Sequence, residues 1–356
     1  MRGEVSQADG FDLALAEEAQ MHGVHGLVRQ ALIASDVWNR LDTATRAALD
    51  ADVHRTALAD GYFRRQTFHA VTALRNAGIT TLIFKGEAIA RTHYARPHLR
   101  PRCDTDLFVR KADAVSAGNV LTTLGYSQTN AVAREIVQTQ QMFTALNGSM
   151  HHVVDLHWNI SYRPFFADTF SFDELAQDSI TIGDPRDGLR APGPVHALVL
   201  ACLHRVMHHE NAMRLIWLSD ISLLAERLTA REWTQVRSLA AKKSLFDICA
   251  TGLEMAAARF GCSSTTLNEV AALRSAGVER QEPSRAYLGP RRGSLGRILL
   301  DARHAGGPLR SIQLLASHAF PDAEYMRRKY GVSHPLALAG AYLYRAASGF
   351  RRLTEN

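Results

Sequence analysis

Residues 103–109 read Cys103-Asp104-Thr105-Asp106-Leu107-Phe108-Val109, two acids separated by one residue and leading into an apolar run. The run has the composition of a buried strand. On a strand, residues two apart project to the same face. Asp104 and Asp106 are then side by side, while Cys103 and Thr105 point the other way, into the sheet packing. Two carboxylates a few ångströms apart repel strongly unless a cation lies between them. Hard divalent ions with oxygen ligands, Mg²⁺ above all, relieve that repulsion. An Asp-x-Asp pair also arises as two solvated acids at a loop end, so the pair alone does not decide the chemistry.

Working outward, residues 151–158 give His151-His152-Val153-Val154-Asp155-Leu156-His157-Trp158, a second apolar strand with an acid in its middle. Alternation puts Val153, Asp155 and His157 on one face and Val154, Leu156 and Trp158 on the other. Asp155 adds a third carboxylate, against the plainer reading of a strand-end acid paired with an arginine. His157 reads first as a satisfied core or rim histidine. Upstream, Ile79-Thr80-Thr81-Leu82-Ile83-Phe84 is a short buried strand, ended by Lys85-Gly86, and Glu87–Tyr94 reads as a short helix. A glycine at such a junction lets backbone N–H groups approach an anion, and a helix N-terminus adds a favourable dipole. Lys85 supplies a positive charge suited to polyphosphate. Arg100 and Arg102, just before the Asp pair, are further phosphate candidates. No G-x-x-x-x-G-K loop is present.

Helical periodicity fills both flanks. Asp42 or Thr43 caps a helix through Ala48 and Leu49. Another runs from about Arg55 to Asn76, with Leu58, Tyr62, Phe63, Phe68, Val71 and Leu74 as its inner stripe and Gly78 as its stop. A helix covers about Ala112–Leu124, and residues 127–150 hold strand pieces that the pattern does not place. Beyond a Pro/Gly/Asp-rich stretch (183–194), Val195–Glu210, Leu215–Leu228, Arg231–Ala241 and Leu245–Phe260 read as helices. The fold class expected is α+β: a small mixed sheet with flanking helices, plus N-terminal and C-terminal helical regions. The divisions expected are residues 1–78, 79–190 and 191–356.

Length and composition bound the rest. A chain of 356 residues, 46% hydrophobic and 21% charged, is long enough for one large domain or two and too apolar for disorder. No apolar stretch is long enough for a membrane span and no export signal is evident, so a cytoplasmic protein without membrane contact is expected. The four cysteines are scattered without a C-x-x-C pair, against structural zinc or a disulfide framework. Net charge is +6, yet from Arg285 onward 12 Lys/Arg face four Asp/Glu. This region could contact a polyanion, although solvated helix faces account for it more simply.

Taken together, L-I-F-K-G-E-A-I-A-R-T-H-Y, L-R-P-R-C-D-T-D-L-F-V, L-G-Y and V-D-L-H-W resemble the uncharacterised nucleotidyltransferase family of the DNA polymerase β-like superfamily. L-H-R-V-M-H-H and R-L-I-W-L-S-D-I-S-L-L extend the likeness into a helical half. It covers most of residues 80–260 and, more loosely, reaches about residue 345. The resemblance implies a nucleotidyltransferase core. Asp104 and Asp106 would be its metal-binding pair and Asp155 its third, catalytic and metal-holding carboxylate. Lys85 and Gly86 stand where relatives place a Gly-Ser turn on the triphosphate, with Glu87 replacing the serine. The implied cofactors are two Mg²⁺ ions, with ATP or another nucleoside triphosphate as substrate and an unidentified hydroxyl or phosphate acceptor, a small molecule or a peptide.

Two readings from other classes stand beside this one. One is a catalytically silent nucleotide-binding regulatory module, against which three close acids argue. The other is an RNA- or polyanion-binding protein using residues 285–352; nucleic acid is the less favoured partner. His204 and His208 share a helix face near His209, and line or pack against a cleft more readily than they hold a metal. Asp220 is expected to pair with an arginine or cap packing.

Overall fold

The computed structural model describes residues 12–129, 139–148, 150–289, 294–321 and 323–354. Three N-terminal helices come first: α1 (Leu13–Met21), α2 (His25–Ala34) and α3 (Thr43–Asn76). The two helices expected around Leu49 and Arg55 fuse into the single 34-residue α3. Asp42 caps it by accepting the Thr45 N–H at 2.9 Å, and Gly78, at φ +77°, ends it in a conformation that favours glycine. Its buried residues include Leu49, Asp52, Phe63, Thr67, Val71 and Leu74. Leu58 is a correction to the expected inner stripe. It lies some 200–240° round the helix from Asp52 and Phe63 and is 74% exposed.

The central sheet then forms from β1 (Leu82–Ile83), β2 (Thr105–Phe108), β3 (Ser127–Thr129), β4 (Gln140–Asn147) and β5 (Met150–His157). Between these strands lie α4 (Lys85–His93) and α5 (Ala114–Thr123). The spatial order is β1-β2-β5-β4-β3. The β2·β5 pair is parallel and the other three are antiparallel, so the sheet is mixed. Cys103 and Asp104 precede β2 instead of lying in it, and Cys103 is exposed, not packed in the sheet as expected. Part of the ambiguous stretch 127–150 resolves into β3 and β4; residues 130–138 and 149 fall outside the described residues.

Helices then dominate: α6 (Pro164–Ala167), α7 (Phe172–Gln177), the small hairpin β6 (Ile180–Thr181) with β7 (Arg190–Ala191), and α8 (Pro194–His209). Next come α9 (Leu215–Ala225), α10 (Ala230–Lys243), α11 (Phe246–Phe260) and α12 (Ser264–Arg280). The chain closes with α13 (Ser294–Arg303), α14 (Pro308–Ala319), α15 (Ala323–Tyr330) and α16 (Pro335–Thr354). The architecture is α+β, a mixed five-stranded sheet flanked by helices on the N-terminal and C-terminal sides. Among the described residues, no helix is long and apolar enough to cross a membrane. The last helices are amphipathic and leave Leu309, Ile312, Phe320, Leu336 and Leu343 exposed.

Strand alternation divides the core between the two faces of the sheet. Leu107, Val154 and Leu156 pack with Val71 and Leu74 of α3 and with Ala117 and Leu121 of α5. On the opposite face, Phe84 and Phe108 join the larger cluster built by α8, α9 and α11 together with the N-terminal helices. Asp106 shares its side of β2 with Phe108 and so faces the helical half.

Candidate active site

The parallel register sets Asp106 directly opposite Asp155 and, two positions on, Phe108 opposite His157. Facing positions on neighbouring strands lie about 5 Å apart, so the two acids converge from separate segments of sequence. Asp106, Asp155 and His157 offer ligand atoms all within 4.8 Å of one another, the metal-compatible grouping found among the described residues. Asp104, half-buried at the entry to β2, adds a third carboxylate whose field reaches both other acids.

Lys85 supplies the local cation. Its Nζ donates to Asp106 Oδ1 at 2.6 Å and lies 3.3 Å from His157 Nε2, which is itself 2.8 Å from the same Asp106 oxygen. The backbone at Lys85 has φ +53°, in the left-handed region that non-glycine residues rarely enter. Such strain is found preferentially at functional positions. The residue therefore starts α4 in an unusual conformation and carries its ammonium to the sheet acids. The sequence places Lys85 against phosphate; the structure places it against Asp106.

The charges divide unequally. Burial would push the Asp106 carboxyl up, but Lys85 and His157 outweigh it and hold the group well below the usual range. Burial and then Asp106 push Asp104 up to about 6. Asp155 is pushed up to about 7 by burial, then by Asp106 and Asp104. Asp155 Oδ1 is buried without a hydrogen-bond partner, and Oδ2 receives only a 3.4 Å contact from Gln140 Nε2. Three mutually repelling carboxylates with one unpartnered buried oxygen lack positive charge. This oxygen-rich donor set fits a hard divalent cation.

Arg100 and Arg102, expected to contact phosphate, are each engaged by acidic side chains. The Arg100 Nη2 donates to Asp220 Oδ2 at 2.8 Å, and Nε lies 3.2–3.3 Å from both Asp220 oxygens. Tyr94 joins through its hydroxyl, 2.8 Å from Asp220 Oδ1. Asp220 thus pairs with an arginine, as the sequence suggests. Gly86 serves this contact, because a Cβ there would collide with the Arg100 guanidinium. The close approach that glycine permits is made by Arg100. Arg102 pairs with Asp60 of α3 at 2.5 Å and with the fully buried Glu87, which also accepts from Arg91. Glu87 thereby joins α4 to the segment carrying the acids.

From the helical side, α8 presents His204, His208 and His209. His209 stacks on Trp217 at 3.9 Å and meets His204 at 3.2 Å, while His208 Nε2 reaches the Ile160 carbonyl at 3.1 Å. Burial first, and Lys85 next, hold His204 and His208 in the neutral form. A cavity of about 30 Å³ lies between His204 and the Lys85-Gly86 bend, lined also by Ile89, Leu200 and Trp217. It has room for about one water. His157 is the site residue that the sequence reading undervalued. The signal was present, because alternation already placed it on the face of Asp155.

Four buried imidazoles, two in the site and two elsewhere, set an acid limit on the fold. Burial holds His93, His152 and His157 down to about 4 and His208 to about 3. The unfolded chain takes up these protons near pH 6.5, so the stability involved is complete above that pH and is lost as pH falls toward 4. Asp104 and Asp155 act in the opposite sense, their raised values favouring the fold as pH drops below about 7. His209, also held down to about 4, adds to the histidine side, so the loss of stability on acidification outweighs the gain from the two acids. Melting curves between pH 7.5 and 4.5 are expected to show the midpoint falling by several degrees below pH 6. A flat or rising profile would contradict the neutral buried histidines.

No curated protein matches the chain. The sequence profile of the uncharacterised nucleotidyltransferase family matches residues 13–261, from the start of α1 to the end of α11. That span takes in the sheet, all three carboxylates, Lys85 and the histidine-bearing α8, and it leaves α12–α16 outside. With more than two thirds of its length matched, the chain belongs to the uncharacterised nucleotidyltransferase family.

Proposed function

We propose that the protein transfers a nucleoside monophosphate from a nucleoside triphosphate, ATP first among them, to a hydroxyl or phosphate acceptor on a small molecule or peptide. One observation carries this reading: Asp106 and Asp155 face each other across the parallel β2·β5 pair, with Asp104 beside them and a lysine in contact. Asp106 and Asp155 would hold divalent ions, with Asp104 completing the oxygen set; Mg²⁺ suits these donors, two ions being the arrangement expected of the superfamily. When bound, such ions neutralise phosphate charge and lower the pKa of an acceptor hydroxyl.

The chain's own groups do the rest. Lys85 offsets charge on the phosphates, and Asp155 Oδ1, which has no hydrogen-bond partner, offers lone pairs toward the acceptor's proton. A bond forms from the acceptor oxygen to the α-phosphorus as the bond to the bridging oxygen breaks, and pyrophosphate departs with the electron pair. In this proposal Arg100 and Arg102 hold the Lys85-Gly86 bend and the acid-bearing segment in place through Asp220, Asp60 and Glu87.

Incubation with each α-labelled nucleoside triphosphate, Mg²⁺ and a metabolite and peptide extract tests the reaction. Label is expected in a new product together with released pyrophosphate. Label confined to unreacted triphosphate with all four bases, with the protein folded, would reject the transferase reading.

A further inference from the structure

The ammonium of Lys85 contacts the groups best placed to hold a divalent ion. It donates to Asp106 Oδ1 at 2.6 Å and lies 3.3 Å from His157 Nε2, so it contacts two of the three groups whose ligand atoms cluster within 4.8 Å. Its side chain is only 13% exposed and that of Asp106 8%, so water does little to loosen the pair. The left-handed backbone at residue 85 fixes where the side chain starts, and the Arg100 guanidinium closes over Gly86 behind it.

We infer that Lys85 is an internal counter-ion that guards the metal site, holding Asp106 until a triphosphate draws the ammonium away. This rests on the nucleotidyltransferase reading above and adds to it an order of events. Lone pairs on Asp106 Oδ1 that accept from Lys85 are not free for a divalent ion, and two cations on one carboxylate oxygen repel. A polyphosphate offers Lys85 an alternative anion of higher charge. Once the ammonium turns to it, Asp106 is released to bind a metal, and metal and nucleotide bind cooperatively. The device limits binding of a free divalent ion without its nucleotide.

The test measures Mn²⁺ binding to the full chain by electron paramagnetic resonance at pH 8, with and without α,β-methylene-ATP. Lys85→Met removes the charge at similar length, and Lys85→Gly removes it while suiting the left-handed backbone. Wild type is expected to bind Mn²⁺ weakly alone and more tightly with the analogue. Both variants are expected to bind Mn²⁺ alone about ten- to a hundredfold more tightly than wild type, the range for losing a competing charged hydrogen bond. The enhancement by the analogue is expected to shrink in both. Variants that bind Mn²⁺ alone no tighter than wild type would overturn the guarding role, even with the metal site intact. Absence of Mn²⁺ binding in all three proteins, with analogue present and with Asp106→Asn making no difference, would remove the metal reading and this inference with it.

Discussion

Asp106→Asn is expected to lower pyrophosphate release by a factor of about 10³ or more while leaving the far-ultraviolet circular dichroism spectrum unchanged. The loss of one preorganised electrostatic contact costs about 10²–10³ in rate, and this substitution removes more than one contact. Asp106 is the carboxylate shared by Lys85 and His157, at 2.6 and 2.8 Å, and the residue registered against Asp155. An amide at this position keeps the volume and one oxygen but loses the charge that would hold a divalent ion. It also leaves the Lys85 ammonium buried without its counter-ion, so a modest fall in melting temperature is expected alongside the kinetic loss. Asp155→Asn separates the two effects. Asp155 has no ion pair among the described residues and has an unpartnered oxygen, so the amide is expected to raise stability slightly while activity falls by a comparable factor. Pyrophosphate release within threefold of wild type in either variant would remove these carboxylates from the reaction.

The contrast between these two acids shows what the sequence can and cannot reveal. Period-two alternation is a local rule. It was enough to orient Asp106, Asp155 and His157 on their strands and to mark the strand in V-V-D-L-H-W. Helical periodicity likewise located α8, α9, α10 and α11 to within a few residues. Asp104 and Cys103 lay beyond that rule, because the strand begins only at Thr105 and alternation has no meaning before it. Glu87 shows another limit. An acid beside a phosphate-type bend is unfavourable in sequence terms, but it is satisfied here by Arg91 one turn along α4 and by Arg102 from the next segment. The left-handed backbone of Lys85 was hidden for a different reason. Lysine has no preference for that conformation, so nothing in the residue type announces it. Partners distant along the chain are the least visible of all. Arg100 and Asp220 are separated by 120 positions, and nothing local at either residue specifies the other.

That pair is the basis of the second large effect expected. Arg100 and Asp220 are both buried, at 8% and 3% exposure, and three close donor–acceptor contacts join them. Burial disfavours the charge on Arg100, and the adjacent carboxylate outweighs it, so the guanidinium stays firmly ionised. Removing one partner leaves the other as an uncompensated buried charge, which costs about 3–5 kcal/mol. Arg100→Met and Asp220→Leu are each expected to destabilise by that amount in urea unfolding. The double variant Arg100→Met/Asp220→Leu is expected to be more stable than either single one, because no isolated charge remains and Tyr94 keeps Ser219 Oγ at 3.1 Å as a partner. Activity is expected to follow a different order. The guanidinium fills the space that Gly86 leaves and the thinner methionine chain would not, so in the double variant the Lys85-Gly86 bend loses its backing even where stability recovers. Pyrophosphate release that stays low in a restabilised double variant would identify Arg100 as the group that positions Lys85. Full recovery of both stability and rate would reduce the pair to a packing element, and single variants within 1 kcal/mol of wild type would show that the charges are not buried as described.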